Sequence, residues 1–270
     1  MTKLQAHDWR WKPGAGYYTS RADELERQPL MPDARDRRDV VIAHLFARFL
    51  PPAATAPAVL ELGCGASRWL PYLALQHGCR VTGLDSEPAA AELARANLRG
   101  AGVEGEVLCR DAFAARGNED LAGRFDLVYS GGVLEHFADV VGCLAATRRY
   151  LRPGGVILTV VPNLQGINWA LQRLGDLNVL QTHVIYSAAR LRRRHEEAGF
   201  QTLAWGYAGF YNGFVSATSS RTPPWRRRVH RALCRSSNLA AYGWLRLTRE
   251  RIAPSLAWLS PSVHYVGRAG

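Results

Sequence analysis

Between Val59 and Val161 short apolar runs alternate with amphipathic stretches, and this alternation limits what the chain can fold into more than any other feature. Val59 to Leu62, Arg80 to Leu84, Glu106 to Cys109, Phe125 to Tyr129 and Gly155 to Val161 read as strands. Helices are predicted over Ser67 to His77, through EPAAAELARANLRGAG, and over Asp139 to Leu151. Upstream, Asp33 to Leu50 carries Val41, Leu45, Phe46 and Phe49 at helical spacing and is closed by Pro51 and Pro52. Strands separated by helices cannot close as hairpins; the crossovers lay them parallel, with helices on both faces of the sheet. The expected fold class is α/β.

A chain of 270 residues, 47% of them hydrophobic, can bury one large core. Its longest apolar runs, such as Val156 to Pro162, are far shorter than the roughly 20 residues that cross a bilayer, and the N-terminus is polar, so neither a signal peptide nor a membrane span is expected. Cys64, Cys79, Cys109, Cys143 and Cys234 are scattered and odd in number, which speaks against a disulfide framework and against a metal site, and fits a reducing cytoplasm.

In an open parallel sheet, ligands bind beyond the carboxyl ends of the strands, and ELGCG stands at that place after the first strand. A dinucleotide turn would read GxGxxG; here Gly63 and Gly65 are followed by Arg68 where the third glycine belongs, which weakens an NAD reading. Two glycines alone also make an ordinary tight turn. Later strands end in residues suited to a nucleoside: Asp85, with Ser86 beside it, can accept from ribose hydroxyls; Asp111 can accept from an adenine amino group; Phe113 can cover a base. Ser130, Gly131 and Gly132 end the fourth strand with little bulk, so a ligand can lie against the backbone. Asp85 and Asp111 are equally good helix caps when taken singly.

Taken together, VLELGCG, VTGLD, CRDAF, FDLVYSGGVLEHF and LRPGGVILTVVPN resemble, in order, the motifs of class I S-adenosylmethionine-dependent methyltransferases. The resemblance implies a Rossmann-like, mostly parallel seven-stranded sheet ending in an antiparallel hairpin, for which FQTLAWGYA and SVHYVGRAG are the candidate strands. It implies S-adenosyl-L-methionine as cofactor, with Glu61, Gly63 and Gly65 around the methionine end, Asp85 at the ribose, and Asp111 with Ala112 at the adenine. Cys64 reads as a small filler within that turn. Four parts are expected: an N-terminal lid and helix over 1–56, a cofactor-binding core over 57–162, an acceptor-side insertion over 163–186, and a C-terminal part over 187–270. In the lid Trp11, Tyr17 and Tyr18 are candidate cofactor contacts, with simple packing as the alternative.

A sulfonium methyl is already electrophilic, so alignment and exclusion of water supply most of the rate, and a histidine near neutral pKa assists when the acceptor is protonated. His136 at the fourth-strand exit and His183 in the insertion are the candidate bases, and packing against the cofactor is the other reading of His136. No metal is expected. The net charge of +11 is concentrated: nine arginines face one acid between Arg221 and Arg251, mixed with Trp225, Val229, Leu233, Leu239, Trp244, Leu245 and Leu247. That segment suits peripheral contact with an anionic membrane or solvated surface over a helix pair; no nucleic-acid module is visible. The functional expectation is methyl transfer to oxygen or nitrogen of a small or medium-sized acceptor, such as a secondary metabolite, quinone or glycoconjugate. A non-catalytic cofactor-binding or membrane-docking protein is the rival, followed by an NAD-dependent oxidoreductase.

Overall fold

The computed structural model of the protein describes residues 15–219, 222–248 and 254–270. The elements run in the order α1 (Ala15–Arg27), α2 (Arg37–Phe49), β1 (Ala58–Leu62), α3 (Trp69–His77), β2 (Arg80–Asp85), α4 (Pro88–Gly100), β3 (Glu106–Cys109), β4 (Phe125–Gly131), α5 (Val140–Arg148) and β5 (Leu151–Pro162). Then come α6 (Gly166–Gly175), α7 (Leu177–Thr182), α8 (Ala188–Glu197), β6 (Phe200–Ala208), α9 (Pro224–Leu247) and β7 (Ser262–Ala269). Local chemistry sets several of the boundaries. The Asp36 carboxylate accepts from the Arg38 amide to start α2, Asp139 accepts from Gly142 to start α5, and Gly78 with φ +61° takes the left-handed turn that ends α3.

The seven strands lie in the order β3-β2-β1-β4-β5-β7-β6. β1 pairs in parallel with both β2 and β4, whereas β7 runs antiparallel between β5 and β6, so the expected hairpin strands do form the end of the sheet. Along β1, Val59 joins the hydrophobic cluster under α2, α3 and α4, while Leu60 and Leu62 join the opposite cluster under α5 and α8. This is strand alternation in a sheet covered on both faces. The chain reverses direction of travel across the sheet between β1 and β4, and the diverging carboxyl ends of these two strands open the crevice in which the site lies.

Several elements differ from expectation. The helix expected over Asp139 to Leu151 ends at Arg148, and β5 starts at Leu151 rather than Gly155, because Leu151 pairs with Phe125 of β4. β4 continues beyond Tyr129, because Ser130 pairs with Leu62 on one side and Thr159 on the other, and Gly131 pairs with Val160. Among the described residues the basic segment forms one helix of 24 residues, Pro224–Leu247, rather than a pair; Arg221, Arg249 and Arg251 lie outside the described residues. Among the described residues, no helix is long and apolar enough to cross a membrane.

Candidate active site

The turn after β1 requires its glycines for two different reasons. Gly63 has φ +63°, and a Cβ there would stand 2.5 Å from Cγ2 of Val133, so both conformation and space exclude a side chain. Gly65 has φ +45°, yet a Cβ would meet nothing within 4 Å, so its backbone fronts open space that a ligand can enter. Glu61 is buried at the end of β1 and accepts from the Ser67 hydroxyl. Burial, reinforced by Asp85 and opposed by that hydrogen bond, pushes its carboxyl up to about 8. Cys64 is also buried, and its thiol is pushed well above its ordinary range by desolvation first and by Glu61 and Asp85 next, which keeps the sulfur protonated.

Asp85 at the tip of β2 accepts from the Gly65 amide at 2.9 Å and from the Glu87 amide at 2.9 Å; it therefore braces the glycine turn and is not the side-chain cap of α4. Ser86 next to it is exposed. Asp111 is exposed, and one carboxylate oxygen accepts from the Phe113 amide at 2.9 Å. Ala112 is buried, with its carbonyl accepting from Tyr150 and Arg149. Phe113 is buried as well, edge-on to Phe137 with centroids 4.9 Å apart. Ser130 is buried, and Gly131 faces the crevice. Tyr17 belongs to α1, but its side chain, like that of Tyr18, is not among those described, and Trp11 lies outside the described residues.

A cavity of about 420 Å³ opens against this turn, with Arg38, Ile42, Glu61, Arg68, Gly131 and Glu135 among its walls. Two arginines at this cavity share one buried carboxylate: Asp39 receives Arg38 at 3.0 Å and Arg68 at 2.8 Å, and also accepts from the Asp33 amide at 3.1 Å. The guanidiniums are thereby held at the cavity beside the glycine turn, as cations that a carboxylate ligand could meet. Neither Trp169 nor Leu180 of the insertion lines this cavity; Trp169 is 40% exposed with the Arg173 guanidinium over its ring.

Glu135 lines the cavity; His136 and His183 are not among its walls but stand against Glu135. The Val184 amide donates to the Glu135 carbonyl at 2.7 Å, and this link brings the insertion against the β4 exit. The two imidazole centroids are consequently 4.4 Å apart. Burial raises Glu135 to about 8, and its Oε2 has no hydrogen-bond partner among the described residues; burial also lowers His183. The donor atoms of the three residues lie within 4.8 Å of one another, a carboxylate and two imidazoles that together could hold a divalent cation.

The strand order, the crevice at the switch point and the acid at the β2 tip define a Rossmann-like fold built for a nucleoside cofactor. A family model described as a methyltransferase domain matches residues 34–204, and the chain belongs to this family, the class I S-adenosylmethionine-dependent methyltransferases. Its cofactor is S-adenosyl-L-methionine.

Over 149 residues the chain is 32% identical to a Methylocella silvestris protein named ubiquinone biosynthesis O-methyltransferase, covering 53% of this chain and 57% of that one. A Pseudomonas aeruginosa protein of the same name is 31% identical over 123 residues, covering 46% and 52%. The chain thus spans just over half the length of these curated relatives. Among solved structures, geranyl diphosphate C-methyltransferase from Streptomyces coelicolor, in complex with Mg2+, geranyl diphosphate and S-adenosyl-L-homocysteine, is similar with a TM-score of 0.54 at 11% identity, over 96% of this chain and 100% of that one. A SAM-dependent methyltransferase from Archaeoglobus fulgidus has a TM-score of 0.52 at 16% identity, over 86% and 94%. At these identities the likeness is one of fold.

Sequence reasoning passed over Arg38, Asp39, Ser67 and Glu135. Arg68 entered it only as a residue that breaks a dinucleotide motif; in the structure it is an ion-paired wall of the cavity. No local pattern marks the pairing of Arg68 with Asp39, which lies 29 residues away.

Proposed function

We propose that the protein transfers a methyl group to a hydroxyl oxygen of a small or medium-sized acceptor, with a ring-hydroxylated, quinone-like molecule as the favoured class. The observation that carries this reading is the pair of imidazoles gathered beside Glu135, itself a wall of the cavity, because a hydroxyl acceptor must lose a proton as it gains the methyl. The names of the curated relatives support oxygen as the methylated atom and a quinone route as the setting.

The residues present fit the cofactor. Gly65 leaves the room a ligand backbone contact needs, Asp85 and Asp111 are acceptors for ribose and adenine, and Arg38 and Arg68 are cations for the amino-acid carboxylate. Ser86, Ala112, Phe113, Ser130 and Gly131 would complete its surroundings, and Glu61, protonated at neutral pH, can donate as well as accept. When bound, the cofactor supplies an electrophilic methyl: the acceptor oxygen forms the C–O bond as the C–S bond breaks, and the electron pair leaves on sulfur. The chain's part is to hold the acceptor in the cavity, exclude water, and move the hydroxyl proton onto His136 or His183. His183, lowered by burial, is neutral at pH 7 and therefore able to accept it.

The test is single-turnover transfer of labelled methyl to hydroxylated and to amine acceptors across pH 5 to 9, in the parent and in His136→Ala and His183→Ala. Loss of the base should slow transfer by about 10²–10⁴-fold with cofactor affinity retained. The parental rate should rise from acid pH, and a midpoint below 6.5 marks His183 as the base. Transfer to amines alone, or unchanged rates in both variants, would overturn this assignment.

Peripheral contact of the basic segment with an anionic membrane belongs to the same proposal, and α9 is the element that would make it.

A further inference from the structure

α9 turns His230 and Cys234 inward and leaves its opposite side bare. At 100° per residue Trp225, Val229, Leu239 and Leu247 fall together on the side away from Cys234, with the small residues Ala232, Ser236, Ala240 and Gly243 between them. Trp225 is 63% exposed, Leu239 73% and Leu247 79%. Arg228, Arg235 and Arg246 form a row along one edge of this stripe, and the helix contains no Asp or Glu. Arg226 is separate, since it donates to the Leu174 carbonyl at 2.9 Å and fastens α9 to α6.

We infer that the outward face of α9 seats on an anionic membrane surface, its apolar stripe entering the headgroup boundary and its arginine row lying against lipid phosphates. A stripe set with large apolar side chains and bordered on its own helix by arginines suits an interface that is apolar on one side and anionic on the other, although Arg235 and Leu239 also line a groove shared with Asp33, Asp36, Arg35 and Arg37. Charge complementarity selects this occupant. A second copy of the helix would set two arginine rows against each other, and a polynucleotide would match the arginines but leave the apolar stripe without a partner. Six arginines within the helix fit a helix lying in the interface plane rather than one crossing the bilayer.

The same helix holds a wall of the cavity. The Cys234 thiol donates to the Gly213 carbonyl at 3.2 Å, and the Gly213 amide donates to Asn238 at 2.9 Å. These bonds fix the short 3-10 turn Gly213–Val215, from which Val215 lines the cavity. Docking through the outward side of α9 would therefore seat against the bilayer the helix whose inward side holds this wall, one helix width from the lipid, and a lipid-dissolved apolar acceptor is the class this favours. This deepens the methyl-transfer reading by assigning the source of the acceptor, but the docking itself needs neither acceptor nor cofactor.

The experiment is co-sedimentation of the whole chain with phosphatidylcholine vesicles, with and without phosphatidylglycerol, at low and high salt. S-adenosyl-L-homocysteine binding is measured on each protein as a separate record of folding and of the cofactor site. Binding should require phosphatidylglycerol and weaken as salt rises. Each arginine near an anionic surface contributes about fivefold in partition, so the triple variant R228S, R235S and R246S should bind about 100-fold less. A second variant, W225S, L239S and L247S, keeps every arginine and should also lose binding if the stripe enters the interface. No binding by the parent, equal binding by all three proteins, or preferential binding of a single-stranded RNA would overturn the inference. So would a stripe-dependent dimer in sedimentation velocity. Vesicle binding with no methyl transfer would leave the docking intact and remove only the reading of the reaction.

Discussion

At Glu61 and Glu135 the environment determines the charge state. Both side chains are buried, and burial raises both carboxyls to about 8 from 4.5. A carboxyl whose pKa is higher folded than unfolded contributes stability that is complete below the unfolded value and is lost as pH climbs through the folded one. Stability of the ligand-free protein should therefore decline between about pH 4.5 and 8, by up to about 1.4 kcal/mol per pH unit for each group. Urea unfolding at several pH values in the parent, Glu61→Gln and Glu135→Gln should show a flatter dependence in each variant. An unchanged slope in either would mean that this carboxyl is ionised in the folded protein. The sequence placed Glu61 at the end of a strand, but nothing local announced its proton. The charge state arises from α2, β4 and the glycine turn closing around it.

Between elements, Asp39 joins α2 to the start of α3 through Arg68, and Arg38 pairs with the same carboxylate from within α2. The carboxylate is 1% exposed, whereas the two arginine side chains are 29% and 36% exposed, so water retains part of their hydration. Asp39→Ala should destabilise the fold by about 3 kcal/mol, the low end for breaking a buried ion pair, and urea unfolding measures it. A loss under about 1 kcal/mol would mean that solvent replaces the carboxylate without cost. Element boundaries were legible where chemistry is local. β3 runs from Glu106 to Cys109 as read, and Pro51 stops the helix before β1. They were less legible where pairing decides, as at Ser130 and Gly131, which extend β4 only because β1 and β5 lie beside them.

For the whole molecule, a ligand that binds only the folded chain stabilises it by mass action. S-adenosyl-L-homocysteine at about 100 times its Kd should contribute about 2.7 kcal/mol, which for a chain of this size raises Tm by about 5–10 °C, while NAD should leave Tm unchanged. At the same ligand concentration Asp85→Ala should lose most of that shift, since charge-assisted hydrogen bonds to a ribose are worth about 1.5–3 kcal/mol. A full shift in the variant would remove Asp85 from the cofactor site. What the sequence determined by itself was the order of strands and helices, the glycine turn, and the acids at strand tips, because hydrophobic period, breakers and caps act over a few residues. Only the tertiary structure decided that Arg68 meets Asp39, that His183 meets His136, and that Glu61 and Glu135 are buried at one cavity. It also decided that α9 turns Trp225 and Leu239 outward. Those partners are distant in sequence, and their meeting, like the displacement of water that sets their charge, depends on how the sheet and its helices pack.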